Sequence, residues 1–230
     1  MPRELKAGAL RILVVDIGGT RVKFRSSGET AGNSFPSNSQ LTPQFLCQQL
    51  QESVDLNSVD AITIGYPGVV CYGRIARDPN RLGSSWLGFD FNKHLGKNVK
   101  VINDTTMQAI GSYRGGRSLF LSLGTAPGTC LVSNYKVIPV QAGILPFKDG
   151  EIFGDRLGGR AREYGPEIWL REVYDAVELL KEAFIAEEVV VGGGNAQHLQ
   201  NYASIRLCTN DAAFDGGEKL WSNSNEFELL

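Results

Sequence analysis

Two rhythms of apolar and polar positions alternate along this chain. Leu10, Ile12, Leu13, Val14 and Val15 form an apolar run that ends on Asp16. After Gly18-Gly19-Thr20, Val22 and Phe24 alternate with charged neighbours. Runs of this kind, bounded by turn residues, predict paired strands over 10–16 and 21–26. The Ser/Asn-rich stretch 33–40 reads as a loop. Thr42-Pro43 then opens a helix, with a capping hydroxyl and proline at the first helical position. Leu46, Leu50 and Val54 line one side of it. "VDAITIGYPGVV" is a buried strand broken at Tyr66-Pro67-Gly68, and "VKVIND" is a shorter strand ending in polar residues. "TTMQAIGSY" has helical character, and "SLFLSLGTAPGTCLV" repeats the opening design of two strands around a glycine turn. From Pro166 to Ala186, Trp169, Val173, Ala176, Leu180 and Phe184 recur at helical spacing, which assigns them to a core face. "EEVVVGGGNA" predicts a further buried strand, and a short helix is expected over 211–220.

The order is strands and a glycine turn, helix, strand, helix, and then strands and a glycine turn again. It predicts two related α/β lobes, residues 1–116 and 117–230, divided at Gly115-Gly116. The repeat is one of pattern and not of residue identity.

Bulk properties narrow the classes without choosing among them. The chain has 230 residues, 42% hydrophobic and 21% charged, enough for a sizeable core in one or two domains. A net charge of −2 provides no general field for nucleic acid or anionic lipid. No apolar run approaches membrane-spanning length, and the amino terminus passes from charges directly into the first strand. These features predict a cytoplasmic protein with no nucleic-acid or membrane partner. Cys47, Cys71, Cys130 and Cys208 are scattered, without a Cys-x-x-Cys pair, and read as reduced core thiols.

Candidate chemistry lies where apolar strands end, the place where open α/β sheets bind ligands. Four such points are Asp16-Ile17-Gly18-Gly19-Thr20, Asn103-Asp104, Gly124-Thr125-Ala126-Pro127-Gly128-Thr129 and Gly192-Gly193-Gly194-Asn195. The first admits two readings. One is a plain hairpin whose glycines supply positive φ, with Asp16 capping the turn. The other is a phosphate cradle of backbone N–H groups and the Thr20 hydroxyl, with Asp16 holding hydrated Mg²⁺. None of the four matches the Walker pattern, and none is a G-x-G-x-x-G opening a helix.

Taken together, "DIGGTRVKF", "GYPGVV", "SSWLGFDF", "VINDTTMQAIG", "LSLGTAPGTCLV" and "VVVGGGN" resemble the ROK group of sugar kinases, nearest to its polyphosphate/ATP glucokinases. "TNDAAFDGGEKLW" extends the resemblance towards the carboxyl terminus. The resemblance implies an α/β, two-lobed actin-like ATPase (ribonuclease H-like) fold with a central cleft, and it implies a homodimer. It implies that Asp104 is the base that takes the proton of the attacking alcohol. Asp104 also has a plain reading as an N-cap. Asn103, Gly68, Asn80 and Gln141 become sugar-side candidates. Gly18, Gly19, Thr20 and Lys23 match the first phosphate loop, and Gly124, Thr125 and Gly128 the second. Gly192, Gly193 and Gly194 match an adenosine contact, and Asp16 a metal contact. Arg21 and Lys23 equally read as solvated strand residues, and Trp86 as either a loop support or core.

Two departures from the group stand out. The group's Glu-x-Gly-His motif is Gln141-Ala142-Gly143-Ile144 here, which removes two groups that hold sugar hydroxyls. The Cys-x-Cys-Gly zinc cluster of many members is missing, so zinc is not expected. The expected activity is transfer of a phosphoryl group from ATP or polyphosphate, with Mg²⁺, to the 6-hydroxyl of glucose or a related hexose. The alternative is a non-catalytic sugar- or nucleotide-binding regulator. A nicotinamide dehydrogenase is disfavoured because the first glycine turn leads into a strand, not a helix.

Overall fold

A computed structural model describes residues 10–79, 81–199, 204–209, 211–222 and 227–230. The chain forms two compact units: residues 1–107 with 213–225, and residues 108–212 with 226–230. The division falls ahead of the Gly115-Gly116 turn where the sequence pattern changes, and a late segment returns to the first unit.

In the first unit, β1 (Ile12–Ile17), β2 (Arg21–Ser26), β3 (Asn33–Pro36), β4 (Ala61–Tyr66) and β7 (Asn98–Asn103) form a sheet in the order β3-β2-β1-β4-β7. The β1–β2 and β2–β3 pairs are antiparallel, while β1–β4 and β4–β7 are parallel. A small hairpin, β5 (Val70–Cys71) and β6 (Arg74–Ile75), stands apart. The strand β3 corrects the loop expected over 33–40. It is an edge strand with one partner, so it needs no apolar alternation, and Pro36 is tolerated there. Central β4 is buried along its whole length, as a parallel strand covered on both faces must be.

Helix α1 (Pro43–Ser53) starts as its sequence dictates: Thr42 Oγ1 accepts from Phe45 N at 3.2 Å, and Pro43 occupies the first turn. Its Leu46, Cys47 and Leu50 join Leu13, Val15, Ile17, Val22, Ile62, Ile64 and Trp86 in one core. Helix α2 (Phe91–Leu95) buries Phe91 and Leu95 in the same core. Each fully buried side chain of this size contributes about 1.5–3 kcal/mol. Helix α3 (Asp104–Ser112) follows β7 directly.

The second unit holds β8 (Arg117–Leu123), β9 (Pro127–Ser133), β10 (Lys136–Val140), β11 (Glu188–Gly192), β12 (Ile205–Leu207) and β13 (Glu228–Leu229), ordered β12-β11-β8-β9-β10-β13. Short helices α4 (Phe153–Leu157) and α5 (Gly159–Tyr164) precede α6 (Pro166–Ala183). Trp169, Val173, Ala176 and Leu180 of α6 are buried against β8 and β11 residues, as the spacing predicts, and Phe184 packs on the same core.

Helix α7 (Asp211–Lys219) brings the chain back to the first sheet. Gly217 lies against Val14: a Cβ there would come within 2.4 Å of a Val14 methyl. Thr63 Oγ1 donates to Gly217 O and accepts from Trp221 Nε1, both at 2.8 Å. Lys100 Nζ donates to Leu220 O at 2.6 Å and sits 4.3 Å from the centroid of the Trp221 ring. Of the four cysteines, Cys47 and Cys130 are buried, while Cys71 is exposed and Cys208 is only partly covered. The expectation of four core thiols therefore holds for two.

Candidate active site

The parallel strands β1, β4 and β7 end side by side. Asp16 stands opposite Gly65 in register, Gly65 opposite Ile102, and Tyr66 opposite Asn103. Asp16, at the end of β1, and Asp104, just past the end of β7, are thus carried to one edge of the first sheet, where their charges interact.

At that edge the two carboxyls behave unlike surface acids. Burial pushes Asp16 up to about 6, opposed by the positive charge of Lys23, its register partner on β2. Burial pushes Asp104 up to about 7, and the neighbouring Asp16 charge adds to the effect. Hydrogen bonds from Thr105 oppose it. Thr105 N donates to Asp104 Oδ1 at 2.7 Å.

Asn103, not Asp104, caps α3. Its Oδ1 accepts from Thr106 N at 3.0 Å and from Thr106 Oγ1 at 3.2 Å. Its Nδ2 donates to Gly68 O at 3.0 Å and to Asp104 Oδ1 at 3.1 Å. An amide side chain has two donors and two acceptor lone pairs, so Asn103 is fully engaged. A sugar hydroxyl would have to replace one of these partners. The same bonds tie the Gly68 loop to the Asp104 carboxylate.

Gly68 is required by proximity: a Cβ there would lie 2.7 Å from Tyr66 Cε1. The Tyr66 ring in turn packs on Trp86 at 5.4 Å, and its hydroxyl donates to Arg77 O at 3.0 Å. Trp86 is wholly buried, and from that core position it backs the Tyr66 ring beneath Gly68, so the two readings are compatible. Asn80 lies outside the described residues.

The first glycine turn joins the antiparallel pair β1–β2, so it is a hairpin turn. Neither Gly18 nor Gly19 adopts positive φ, which corrects the reason given for them in the plain hairpin reading. What constrains Gly18 is closeness. Its N–H donates to Arg21 O at 3.0 Å, and a Cβ would stand 2.9 Å from that oxygen. Thr20 is exposed at the turn. The Arg21 guanidinium is bonded to Ser34 Oγ at 2.7 and 3.0 Å, a strand-to-strand tie.

The second unit assembles its own cluster. The turn between β8 and β9 contains Gly124 and Thr125, whereas Gly128 is already within β9, opposite Ser122. Gly124 O accepts from Gly159 N at 3.1 Å and from Asn195 Nδ2 at 3.2 Å. Gly193 has φ +84°, and a Cβ there would meet the Leu123 backbone at 2.7 Å. A Cβ on Gly192 would meet Phe120 at 2.7 Å and Cys208 Sγ at 2.8 Å. Only at Gly194, of the three, would a side chain meet open space. Gln141 and Ile144 belong to a short turn pinned to this cluster, since Thr129 Oγ1 donates to Val140 O and accepts from Ala142 N. Both are exposed, Ile144 by 69%.

Several contributors escaped sequence reasoning. Gly65 sits inside an apolar strand, a known sign of close backbone approach, and a Cβ there would lie 2.3 Å from Met107 Cε. Gly158-Gly159 hold the second turn through backbone contacts that no motif announces, and Asn195, the last residue of the fourth candidate point, bonds the same turn through its side-chain amide. Among the described residues, no group of three or more His, Cys, Asp or Glu is placed to hold a metal. No described helix is long and apolar enough to cross a membrane.

No family model matches the chain. The chain is 23% identical over 203 residues to the polyphosphate glucokinase of Mycobacterium leprae, an alignment covering 78% of this chain and 62% of that protein. The chain thus spans less than two thirds of the length of that curated relative. Its structure is similar to the inorganic polyphosphate/ATP-glucomannokinase of Arthrobacter sp. strain KM, with TM-score 0.75 and 21% identity over 91% of this chain and 97% of the other. It is also similar to a ROK family glucokinase from Streptomyces griseus in complex with glucose and AMPPNP, with TM-score 0.68 and 16% identity over 91% and 98% of the two chains. The α/β, actin-like fold of the ROK sugar kinases is the fold of this chain, as the motifs implied.

Proposed function

We propose that this chain is a hexose kinase, moving the terminal phosphoryl group of ATP or polyphosphate to the 6-hydroxyl of glucose or a related hexose. The observation that carries the reading is Asp104: a carboxylate raised to about 7, oriented by Thr105 N and Asn103 Nδ2, beside a second acid at a strand-end edge. A base poised near neutrality suits removal of an alcohol proton as the new P–O bond forms. Asn103 and the Gly68 loop orient Asp104 and the hydroxyl it serves. Asn80 and Gln141 are the remaining sugar-side candidates.

On the donor side, the Gly19 N–H, the Thr20 hydroxyl and Lys23 receive the phosphates, while the Gly18 N–H, bonded to Arg21 O, holds the turn in shape. Within the second unit, Gly124, Thr125 and Gly128 are the candidate phosphate donors, and Gly192, Gly193 and Gly194 the candidate nucleoside contacts. Open space at Gly194 makes it the member of that trio best suited to a base. The chemistry of the site fits Mg²⁺. This ion keeps most of its waters and binds through one or two carboxylates plus substrate phosphates, and Asp16 beside Asp104 offers a pair of close acids whose repulsion a cation relieves. Asp16 would hold it, and it would supply charge neutralisation on the transferring phosphoryl group. Exclusion of water during transfer is the remaining requirement.

The test is a coupled ADP-release assay with MgATP over a hexose panel, repeated with polyphosphate and direct detection of the sugar phosphate. Asp104→Asn is expected to lower kcat by about 10²–10⁴-fold while donor binding persists. Equal turnover by D104N would remove Asp104 from its role. Ligand-dependent thermal shifts without turnover for any sugar and donor would instead establish the non-catalytic regulator.

A further inference from the structure

Ser37 follows the edge strand β3, within the Ser/Asn-rich stretch 33–40. Its N–H donates to Thr20 O at 2.9 Å, one step beyond the paired positions Arg21↔Pro36 and Val22↔Phe35. Ser37 therefore stands directly opposite Thr20, at the rim of the first glycine turn. Opposed residues of an antiparallel pair place their side chains on the same side of the ladder, with Cβ atoms roughly 4.5–5.5 Å apart. Two hydroxyls thus share one rim.

Their surroundings differ. Thr20 is exposed, whereas Ser37 is only 7% exposed and its Oγ has no hydrogen-bond partner among the described residues. A hydroxyl carries one donor and two acceptor sites, and burying it unpaired is costly. Most buried polar groups in folded proteins are paired, so an orphaned one calls for a partner that arrives later. The nearest expected arrival is the polyanion of the proposed kinase reaction, on whose reading this inference rests.

We propose that Ser37 is a further binding residue of the first glycine turn, its hydroxyl donating to an anionic oxygen of the phosphoryl donor alongside Thr20. In the resting chain the hydroxyl has no partner among the described residues, and the proposal requires it to turn about χ1 towards the bound anion. This assignment has an unusual signature. Deleting an ordinary buried hydroxyl leaves its partner unpaired and destabilises the protein. Deleting an unpaired one leaves nothing behind, so stability holds or rises.

The experiment combines two measurements on Ser37→Ala, Ser37→Thr and the unaltered chain. Thermal unfolding is followed without ligand, and dissociation constants are measured by calorimetry for AMPPNP and for inorganic tripolyphosphate, each with Mg²⁺. The expected result is a Tm for S37A equal to or above that of the unaltered chain. Its affinity for both probes should be weaker on the order of tenfold or more, the loss of one hydrogen bond to a charged acceptor. S37T, which keeps the oxygen, should bind within about threefold of the unaltered chain (under 1 kcal/mol). A lower Tm for S37A, whatever its affinity, would mean that the hydroxyl is already satisfied at rest, and overturns the proposal. Unchanged affinity in S37A, or equal weakening in S37T, also overturns it. Absence of binding by the unaltered chain would overturn both this inference and the kinase reading, whereas equal binding by S37A and the unaltered chain sinks this one alone.

Discussion

Gly65→Ala tests whether β4 sets the position of the proposed base. The new Cβ would lie 2.3 Å from Met107 Cε and 3.2 Å from its Sδ, but at an ordinary 3.5 Å from Asp104 Cα. Carbon atoms pack best at about 3.5–4.0 Å, so the methyl and Met107 Cε must separate by more than about 1 Å. Met107 is flexible, yet it is fully buried in α3, and a close-packed interior leaves it little room. Overpacking of this kind costs about 1–3 kcal/mol. If α3 yields instead of Met107 alone, Asp104 shifts with it, and a displacement of about 1 Å lowers turnover by roughly a hundredfold. The assays are urea unfolding and the coupled kinase assay on G65A, M107A and the double variant. M107A alone should lose about 2–5 kcal/mol through its cavity. The double variant should recover about 1–3 kcal/mol relative to the sum, because the methyl introduced on β4 enters the space that Met107 vacates. Strict additivity, or a G65A protein as stable and active as the original, would refute the packing explanation.

The raised acids predict an inverted pH dependence. Asp16 and Asp104 hold protons more tightly folded than unfolded, so from the ordinary carboxylate range up to about pH 7 the folded chain is the more protonated state. Stability of the metal-free chain should therefore fall as pH rises through that window and level off above it, with Asp104→Asn flattening the slope in urea titrations from pH 4 to 8. Asp16→Asn should move the Asp104 titration downward, read from carboxyl ¹³C shifts, since the Asp16 charge helps to raise it. A steady rise in stability from pH 4 to 7 would contradict the first expectation, and an unmoved Asp104 titration in D16N the second. Gly193→Ala meets a left-handed φ and the Leu123 backbone together, and should cost roughly 1–3 kcal/mol or more in chemical unfolding. A neutral result would show that the Leu123 segment moves freely.

Much of the fold was legible because its signals are local. Thr42-Pro43 announces α1, the period of Trp169, Val173, Ala176 and Leu180 fixes α6, and apolar runs ending in acids or glycines mark β1, β7 and β11. What escaped was non-local. β3 has no apolar alternation because it is an edge, and β12 and β13 are three and two residues long. The Gly115-Gly116 pair marks a local change of pattern, but unit membership depends on contacts, and α7 rejoins a sheet whose strands lie far upstream in the chain. The candidate site shows the same division. Asp16 and Asp104 could be named from strand ends, whereas the transfer of the capping role to Asn103 depends on which carbonyl and N–H groups surround its amide. Gly65, Gly192 and Gly193 are glycines because of neighbours distant in sequence, namely Met107, Cys208 and Leu123.

The late return of α7 sets an order of assembly. Val14 and Thr63 leave the ribosome early, but Gly217 and Trp221, which cover and bond them, are translated 154 and 158 residues after Thr63. A nascent chain must therefore keep one face of its first sheet uncovered until that distant segment has been made. Cutting the chain ahead of Asp211 would strip the oldest part of the molecule, not the newest.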